Sequence, residues 1–164
     1  MARGYIFLSE TFQTIGKLVT LQSEIMGRIL AIDYGKRRCG LAVTDPLRIV
    51  ATALATVDTP KLIDYLKDYL GRETVDEIVV GLPTTMRGEP SDSMRYITPA
   101  LGRLRKTFPD MRFTMWDERF TSTLAHRAML DAGYKKSDRQ DKGAIDRMAA
   151  VIILNSYLGS IGNQ

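Results

Sequence analysis

Acidic residues stand at three places in the sequence where carboxylates could do chemistry. Asp33 ends one short apolar run, and Asp117-Glu118 end another, so these acids are predicted at the ends of two strands. Asp146 lies in a predicted helix, with small and apolar residues three, four and seven positions further on. A carboxylate on such a packing face costs several kcal/mol unless a cation or a metal ion compensates its charge.

The ligand types available predict a site for a hard divalent cation. Cys39 is the only cysteine and His126 the only histidine, which excludes a disulfide within the chain, a multi-cysteine zinc site and a multi-histidine site. Three carboxylates from two strand ends and one helix form an oxygen ligand set, which suits Mg²⁺ or Mn²⁺. The sequence therefore predicts a magnesium or manganese site.

Each acid also has a structural interpretation. Asp33 could be a turn residue at the end of a strand. Asp117-Glu118 could form a turn or an ion pair with Arg119. Asp146 could pair with Arg147 or with an arginine from the sheet. Asp146 lies on a packing face, and this favours a shared metal site over three separate structural roles.

Cations cluster in the predicted loops beside these acids. A negative metal pocket rimmed by cations is what a phosphodiester backbone needs, since cations hold the phosphates and metal ions activate water. The alternative is that these cations only make the loops soluble. The net charge of +4 is compatible with a polyanionic partner but is not evidence of one. The predicted nucleic-acid-binding residues are Lys36, Arg37, Arg38, Arg87, Arg119, Lys135, Lys136, Arg139 and Lys142.

The elements that must position the acids follow an α/β pattern. Three β-rich segments come first, and strands then alternate with helices, which predicts a five-stranded mixed sheet flanked by helices, with its first three strands antiparallel. The predicted strands are Arg28–Asp33, Cys39–Thr44, Ile49–Val57, Glu77–Leu82 and Arg112–Trp116; the predicted helices run from Thr59 to Gly71, from Ser91 or Asp92 to Thr107, from Thr121 or Ser122 to Asp131, and from Gly143 to Leu158.

The first 25 residues differ from the rest of the chain. Residues 1–25 are predicted to be an extension outside the core, and residues 26–164 a single domain, which the length of 164 residues accommodates. The longest apolar run in the extension, Tyr5–Leu8, is too short for a signal peptide or a membrane helix. We therefore expect a cytoplasmic protein with no membrane partner.

Four segments in order resemble the YqgF/RuvX family: LAIDYGKRRCGLAVTD, IVVGLP, DERFTS and KGAIDRMAAVIIL, spanning about Met26 to Leu158. The resemblance implies an RNase H-like fold related to Holliday junction resolvases, and a cytoplasmic bacterial nuclease of pre-16S rRNA. It also implies that Asp33 and Asp146 are the first-strand and last-helix catalytic acids. Asp117-Glu118 match the remaining acidic motif, with Glu118 the preferred metal ligand. The chain departs from the usual pattern at Cys39, often Ile, and in the residues after the DER motif.

The leading functional hypothesis is a metal-dependent endonuclease that processes the 5′ end of pre-16S rRNA, with two Mg²⁺ or Mn²⁺ ions. A structure-selective DNA junction nuclease and a non-catalytic nucleic-acid-binding module are alternatives. The strand–Asp-x-Gly–hairpin opening also resembles actin-like and sugar kinases, but 164 residues cannot supply their two lobes. Monomer and homodimer both remain open.

Overall fold

The computed structural model describes residues 26–83, 91–117 and 142–162. Within these ranges five strands form one sheet and three helices pack on it, while the helix predicted from Thr121 or Ser122 lies outside the described residues. The strands are β1 (Arg28–Tyr34), β2 (Arg38–Thr44), β3 (Ala51–Asp58), β4 (Val75–Leu82) and β5 (Arg112–Asp117); the helices are α1 (Leu62–Arg72), α2 (Met94–Thr107) and α3 (Lys142–Ile161), with a 3₁₀ turn (Thr59–Lys61) before α1.

The sheet is mixed, with the strand order β3-β2-β1-β4-β5. Strands β1, β2 and β3 pair in antiparallel fashion, whereas β4 is parallel to both β1 and β5. The predicted α/β architecture, with three antiparallel strands followed by strands that alternate with helices, is confirmed. The carboxyl ends of β1, β4 and β5 consequently lie at the same edge of the sheet.

Both faces of the central strand β1 are covered, which explains its continuous apolar run. Leu30 and Ile32 belong to the core between the sheet and helices α1 and α2. Ile29 and Ala31 belong to the second core, between the sheet and α3. Successive side chains of a strand alternate between faces, so the next residue, Asp33, lies on the α3 face.

Helix α3 lies along the sheet and is the element that carries Asp146. Its 20 residues are long and apolar enough to cross a membrane by length and composition alone. In this fold, however, Ala150, Ile153, Leu154 and Tyr157 are buried against the strands. One apolar face of α3 therefore belongs to the core of the domain.

The far end of α3 is fixed by a buried carboxylate. The side chain of Glu77, in β4, accepts hydrogen bonds from the Tyr157 hydroxyl at 2.9 Å and from the Thr114 hydroxyl, and Arg112 Nε lies 3.3 Å from it. Buried polar groups satisfied in this way restrict a helix to one position. This contact and the apolar packing set the line of α3 across the sheet.

The β2–β3 turn ends later than the sequence predicts. Strand β3 begins at Ala51 rather than at Ile49. The side chain of Asp45 accepts hydrogen bonds from the amides of Leu47, Ile49 and Val50, at 2.7–3.1 Å. Ile49 and Val50 therefore belong to the turn, because their amides bind this side chain.

Candidate active site

Asp33 and Asp146 lie together on the α3 face of the sheet. Asp33 stands near the carboxyl end of β1 and Asp146 near the start of α3. Burial, and then the negative charge of Asp146, raise the pKa of Asp33 from 3.8 to about 6. The two acids predicted from separate parts of the sequence are therefore close enough to interact.

Gly40 allows this close approach. In the β1–β2 pair Gly40 lies directly opposite Asp33. A β-carbon at position 40 would overlap with the main-chain carbonyl group of Asp146. Gly40 is not among the site residues predicted from the sequence, although a glycine inside a strand often marks the close approach of another backbone.

Asp146 faces an arginine from the sheet. Arg38 Nε lies 3.1 Å from Asp146 Oδ2. Asp146 therefore does pair with an arginine from the sheet, which was its structural interpretation in the sequence. Oδ2 is shielded from solvent, and among the described residues it has no hydrogen-bond partner, so Arg38 approaches it without hydrogen-bond geometry. The result is a buried anionic oxygen whose charge is only partly compensated.

The start of α3 is anchored to β3 through one hydroxyl. The Thr56 hydroxyl donates a hydrogen bond to the carbonyl oxygen of Gly143 at 2.7 Å and accepts one from Arg147 Nη1 at 3.2 Å. Thr56 is in turn the partner of Gly40 in the β2–β3 register. Contacts with β2 and β3 thus fix the position of α3 along the sheet at which Asp146 lies beside Asp33.

Thr59, at which the sequence predicts the first helix to begin, binds the β1–β2 loop instead. Its hydroxyl donates to the carbonyl oxygen of Gly35 at 2.7 Å, and its amide donates to that of Arg37 at 3.0 Å. The side chain therefore does not cap a helix, and α1 begins with a 3₁₀ turn instead. The two bonds hold the β1–β2 loop, which carries Lys36 and Arg37, beside the two acids.

Asp117 lies on the other side of the sheet from Asp33. Its neighbour Trp116 packs on α3, with its ring 5.4 Å from that of Tyr157 and its Nε1 3.1 Å from Ser156 Oγ. Strand alternation then assigns Asp117 to the α1 and α2 face. Glu118 is outside the described residues, and within residues 26–83, 91–117 and 142–162 no three His, Cys, Asp or Glu side chains converge as a metal-binding group.

The predicted cations divide between described and undescribed parts of the chain. Lys36 and Arg37 are exposed in the β1–β2 loop, Arg38 contacts Asp146, and Lys142 is exposed one helical turn before Asp146. These four lie at the same end of the sheet as the two acids. The other five, namely Arg87, Arg119, Lys135, Lys136 and Arg139, fall outside the described residues.

Comparison with known sequences gives strong matches over almost all of this domain. The family model of RuvX, described as a Holliday junction resolvase, matches residues 27–160. A protein of Parabacteroides distasonis named "Putative pre-16S rRNA nuclease" is 52% identical over 135 residues, which cover 82% of this chain and 96% of that protein. A protein of the same name from Porphyromonas gingivalis is 54% identical over 133 residues, covering 81% and 96%.

A solved structure has the same fold. RuvC of T. thermophilus, in complex with a Holliday junction substrate, superposes with a TM-score of 0.53 at 18% sequence identity, covering 83% of this chain and 96% of that one. At this identity the likeness concerns the fold alone. It confirms the predicted RNase H-like architecture.

Proposed function

Because this chain belongs to the RuvX family, we propose that it is an endonuclease that hydrolyses phosphodiester bonds at the 5′ end of pre-16S rRNA during ribosome biogenesis. The observation that carries the proposal is the pair of interacting acids, Asp33 and Asp146, on one face of an RNase H-like sheet. The names of relatives about half identical to this chain support a ribosomal RNA precursor as the substrate.

The residues present fit a divalent cation. Asp146 Oδ2 is a buried anionic oxygen with no hydrogen-bond partner among the described residues, and the raised pKa of Asp33 indicates that negative charge at this point is under-compensated. Carboxylate oxygens are the ligands that Mg²⁺ and Mn²⁺ prefer. We propose that Asp33, Asp146 and Glu118 hold Mg²⁺ or Mn²⁺, since Asp117 lies on the opposite face. A cation bound there supplies Lewis-acid polarisation of water and of the scissile phosphate.

The remaining residues bind and orient the substrate. Lys36, Arg37 and Lys142 lie at the same end of the sheet as the acids and would contact the phosphates on either side of the cut, as would the five predicted cations outside the described residues. Gly40 lets α3 approach the sheet closely enough for Asp146 to lie beside Asp33. Phosphate contacts of this kind determine the register of the strand rather than its sequence.

The decisive experiment compares substrates and metal ions. Labelled RNA spanning the 5′ end of pre-16S rRNA, an unrelated RNA and a four-way DNA junction are each incubated with the full chain in Mg²⁺, Mn²⁺ or EDTA. We expect cleavage of the precursor RNA in either metal and none in EDTA. Asp146→Asn should reduce cleavage at least about a hundredfold with RNA binding retained. Asp64→Asn, at an exposed acid of α1, is the charge-matched control.

A DNA junction nuclease is the second candidate, because the matching family model is described as a Holliday junction resolvase. Resolution requires paired cuts and hence a dimer with twofold symmetry. Cutting of the four-way junction in preference to precursor RNA would favour this candidate. Metal-independent binding without cleavage of any substrate would instead favour a binding module and would contradict both nuclease proposals.

A further inference from the structure

Arg38 contacts one of the proposed metal ligands, Asp146. It lies at the start of β2 with its side chain 38% exposed, so the guanidinium sits between solvent and the half-buried carboxyl group of Asp146. Its Nε is 3.1 Å from Asp146 Oδ2, the oxygen that has no hydrogen-bond partner among the described residues. The contact is electrostatic rather than directional, which leaves the lone pairs of that oxygen available for another ligand.

A guanidinium and a divalent cation compete for this oxygen. A Mg²⁺ ion binds carboxylate oxygens at about 2.0–2.1 Å, and a positive group about 3 Å from the same oxygen would then repel it. Arg38 is permanently charged, so the repulsion cannot be relieved by loss of a proton. It can be relieved by rotation of the side chain, since the guanidinium already borders solvent.

We propose that Arg38 is an exchangeable counter-cation: it neutralises Asp146 when no divalent cation is bound, and metal binding displaces it toward the phosphate of the substrate. This inference rests on the proposed metal-dependent nuclease function and gives Arg38 a second role in it. A released guanidinium is suited to phosphate, because its planar N–H groups can bind two phosphate oxygens at once. Metal loading would thereby complete the phosphate-binding surface.

Calorimetric titration with Mg²⁺ alone, in the absence of nucleic acid, tests the exchange. Arg38→Gln should bind Mg²⁺ about tenfold more tightly than the wild-type chain, because the competing charge is gone. The matched control is Arg37→Gln, which removes the same charge from an exposed neighbouring side chain and should change the affinity by no more than about twofold. Arg38→Lys, which keeps the charge, should remain within about threefold of wild type.

A second measurement uses the wild-type chain and so does not depend on the folding of a variant. The Nε–H group of Arg38 is followed by nitrogen NMR during addition of Mg²⁺. If the guanidinium leaves Asp146, its Nε resonance shifts in proportion to bound metal, because the carboxylate charge beside it is lost. A resonance that stays unchanged at saturating Mg²⁺ would overturn the proposal.

The outcomes separate this inference from the proposed function. If the wild-type chain binds Mg²⁺ and cuts RNA while Arg38→Gln binds Mg²⁺ equally or more weakly, Arg38 orients Asp146 and only the exchange is wrong. If Arg38→Gln binds Mg²⁺ and wild type does not, competition by Arg38 is supported. If neither chain binds Mg²⁺ or Mn²⁺, the exchange and the metal site are both wrong.

Discussion

Gly40 and Asp146 are packed so closely that the main-chain carbonyl group of Asp146 occupies the space where a side chain at position 40 would begin. Gly40 also pairs with Asp33 across the β1–β2 ladder. One residue without a side chain therefore determines the distance between helix α3 and the strand that carries the other acid. The position of Asp146 beside Asp33 therefore depends on this close packing as well as on the fold of the sheet.

The first prediction concerns this contact. Gly40→Ala should force α3 away from the sheet and lower the free energy of unfolding by about 3 kcal/mol, because the obstructing atoms belong to the main chain and cannot rotate away. Mg²⁺ affinity should fall with it, since Asp146 moves with the helix. Urea denaturation and calorimetry measure the two effects.

The control for this prediction is Gly102→Ala in helix α2. Apart from its chain neighbours and the nearby backbone of its own helix, no atom of the described residues lies within 4 Å of a β-carbon built there. Alanine should therefore raise the free energy of unfolding by up to about 1 kcal/mol through its better helix propensity. Equal effects of alanine at positions 40 and 102 would show that α3 is not held by the contact with Gly40.

The second prediction concerns the pH dependence of stability in EDTA. Burial, and then Asp146, raise the pKa of Asp33 to about 6, so the folded protein binds this proton more tightly than the unfolded chain does. Ionisation of Asp33 therefore lowers the free energy of unfolding as pH rises from about 4 to about 6, and the loss is complete above that range. Asp33→Asn should relieve it, by at most about 3 kcal/mol at pH 7.

Urea denaturation at pH 4, 5, 6 and 7 measures this effect. The difference between Asp33→Asn and wild type should grow across the series, with Asp64→Asn, at an exposed position, as the charge-matched control. Saturating Mg²⁺ should reverse the advantage of Asp33→Asn, because the ionised carboxylate then has a ligand. A difference that is the same at every pH would refute the assigned pKa shift.

The third prediction concerns the basic segment before α3. Lys135→Ala, Lys136→Ala and Arg139→Ala together should weaken RNA binding nearly equally for different sequences. They should also flatten its salt dependence, by about 0.7 in the log–log slope for each lost phosphate contact with a single strand. Fluorescence anisotropy at several salt concentrations gives the slope.

The matched control replaces three exposed cations of the opposite face, Lys67, Arg105 and Lys106, with alanine. The net charge falls by the same amount, but these residues lie on α1 and α2, away from the acids. An identical slope for both triple variants would indicate that only overall charge matters, and that the segment before α3 makes no specific phosphate contact.

The fourth prediction concerns the start of the domain. A chain that begins at Met26 should unfold with a free energy within about 1 kcal/mol of the full chain, as expected if the extension lies outside the core. A chain that begins at Met26 keeps both hydrogen bonds of Gly27. The Gly27 amide donates to Asp76 at 2.8 Å, and Arg48 Nε donates to the Gly27 carbonyl oxygen at 3.0 Å.

Thermal and urea unfolding compare the two chains, with a chain beginning at Leu30 as the contrast. That shorter chain loses the first residues of the central strand and should not fold stably. A loss of several kcal/mol in the chain that begins at Met26 would place residues 1–25 in the folded core and contradict the predicted domain boundary.

Most strands and helices and the candidate acids could be predicted from local patterns in the amino-acid sequence. The apolar run before Asp33, the alternation of strands and helices, and the small-residue stripe after Asp146 are local patterns, because burial on one or both faces imposes a period that can be read along the chain. They were enough to predict the mixed sheet and to choose Asp33 and Asp146 as partners. The same patterns predicted that Asp117-Glu118 contribute to the site, but they did not show which of the two carboxylates binds the metal.

Which side chains contact one another depends on how the strands and helices pack in the folded protein. The alternation of β5 assigns Asp117 to the face away from Asp33, and this depends on which face of the sheet α3 covers. The contacts of Arg38 with Asp146 and of Gly40 with α3 join residues more than 100 positions apart. No periodicity in the sequence records such contacts, because they arise from the register of paired strands and the depth at which a helix packs.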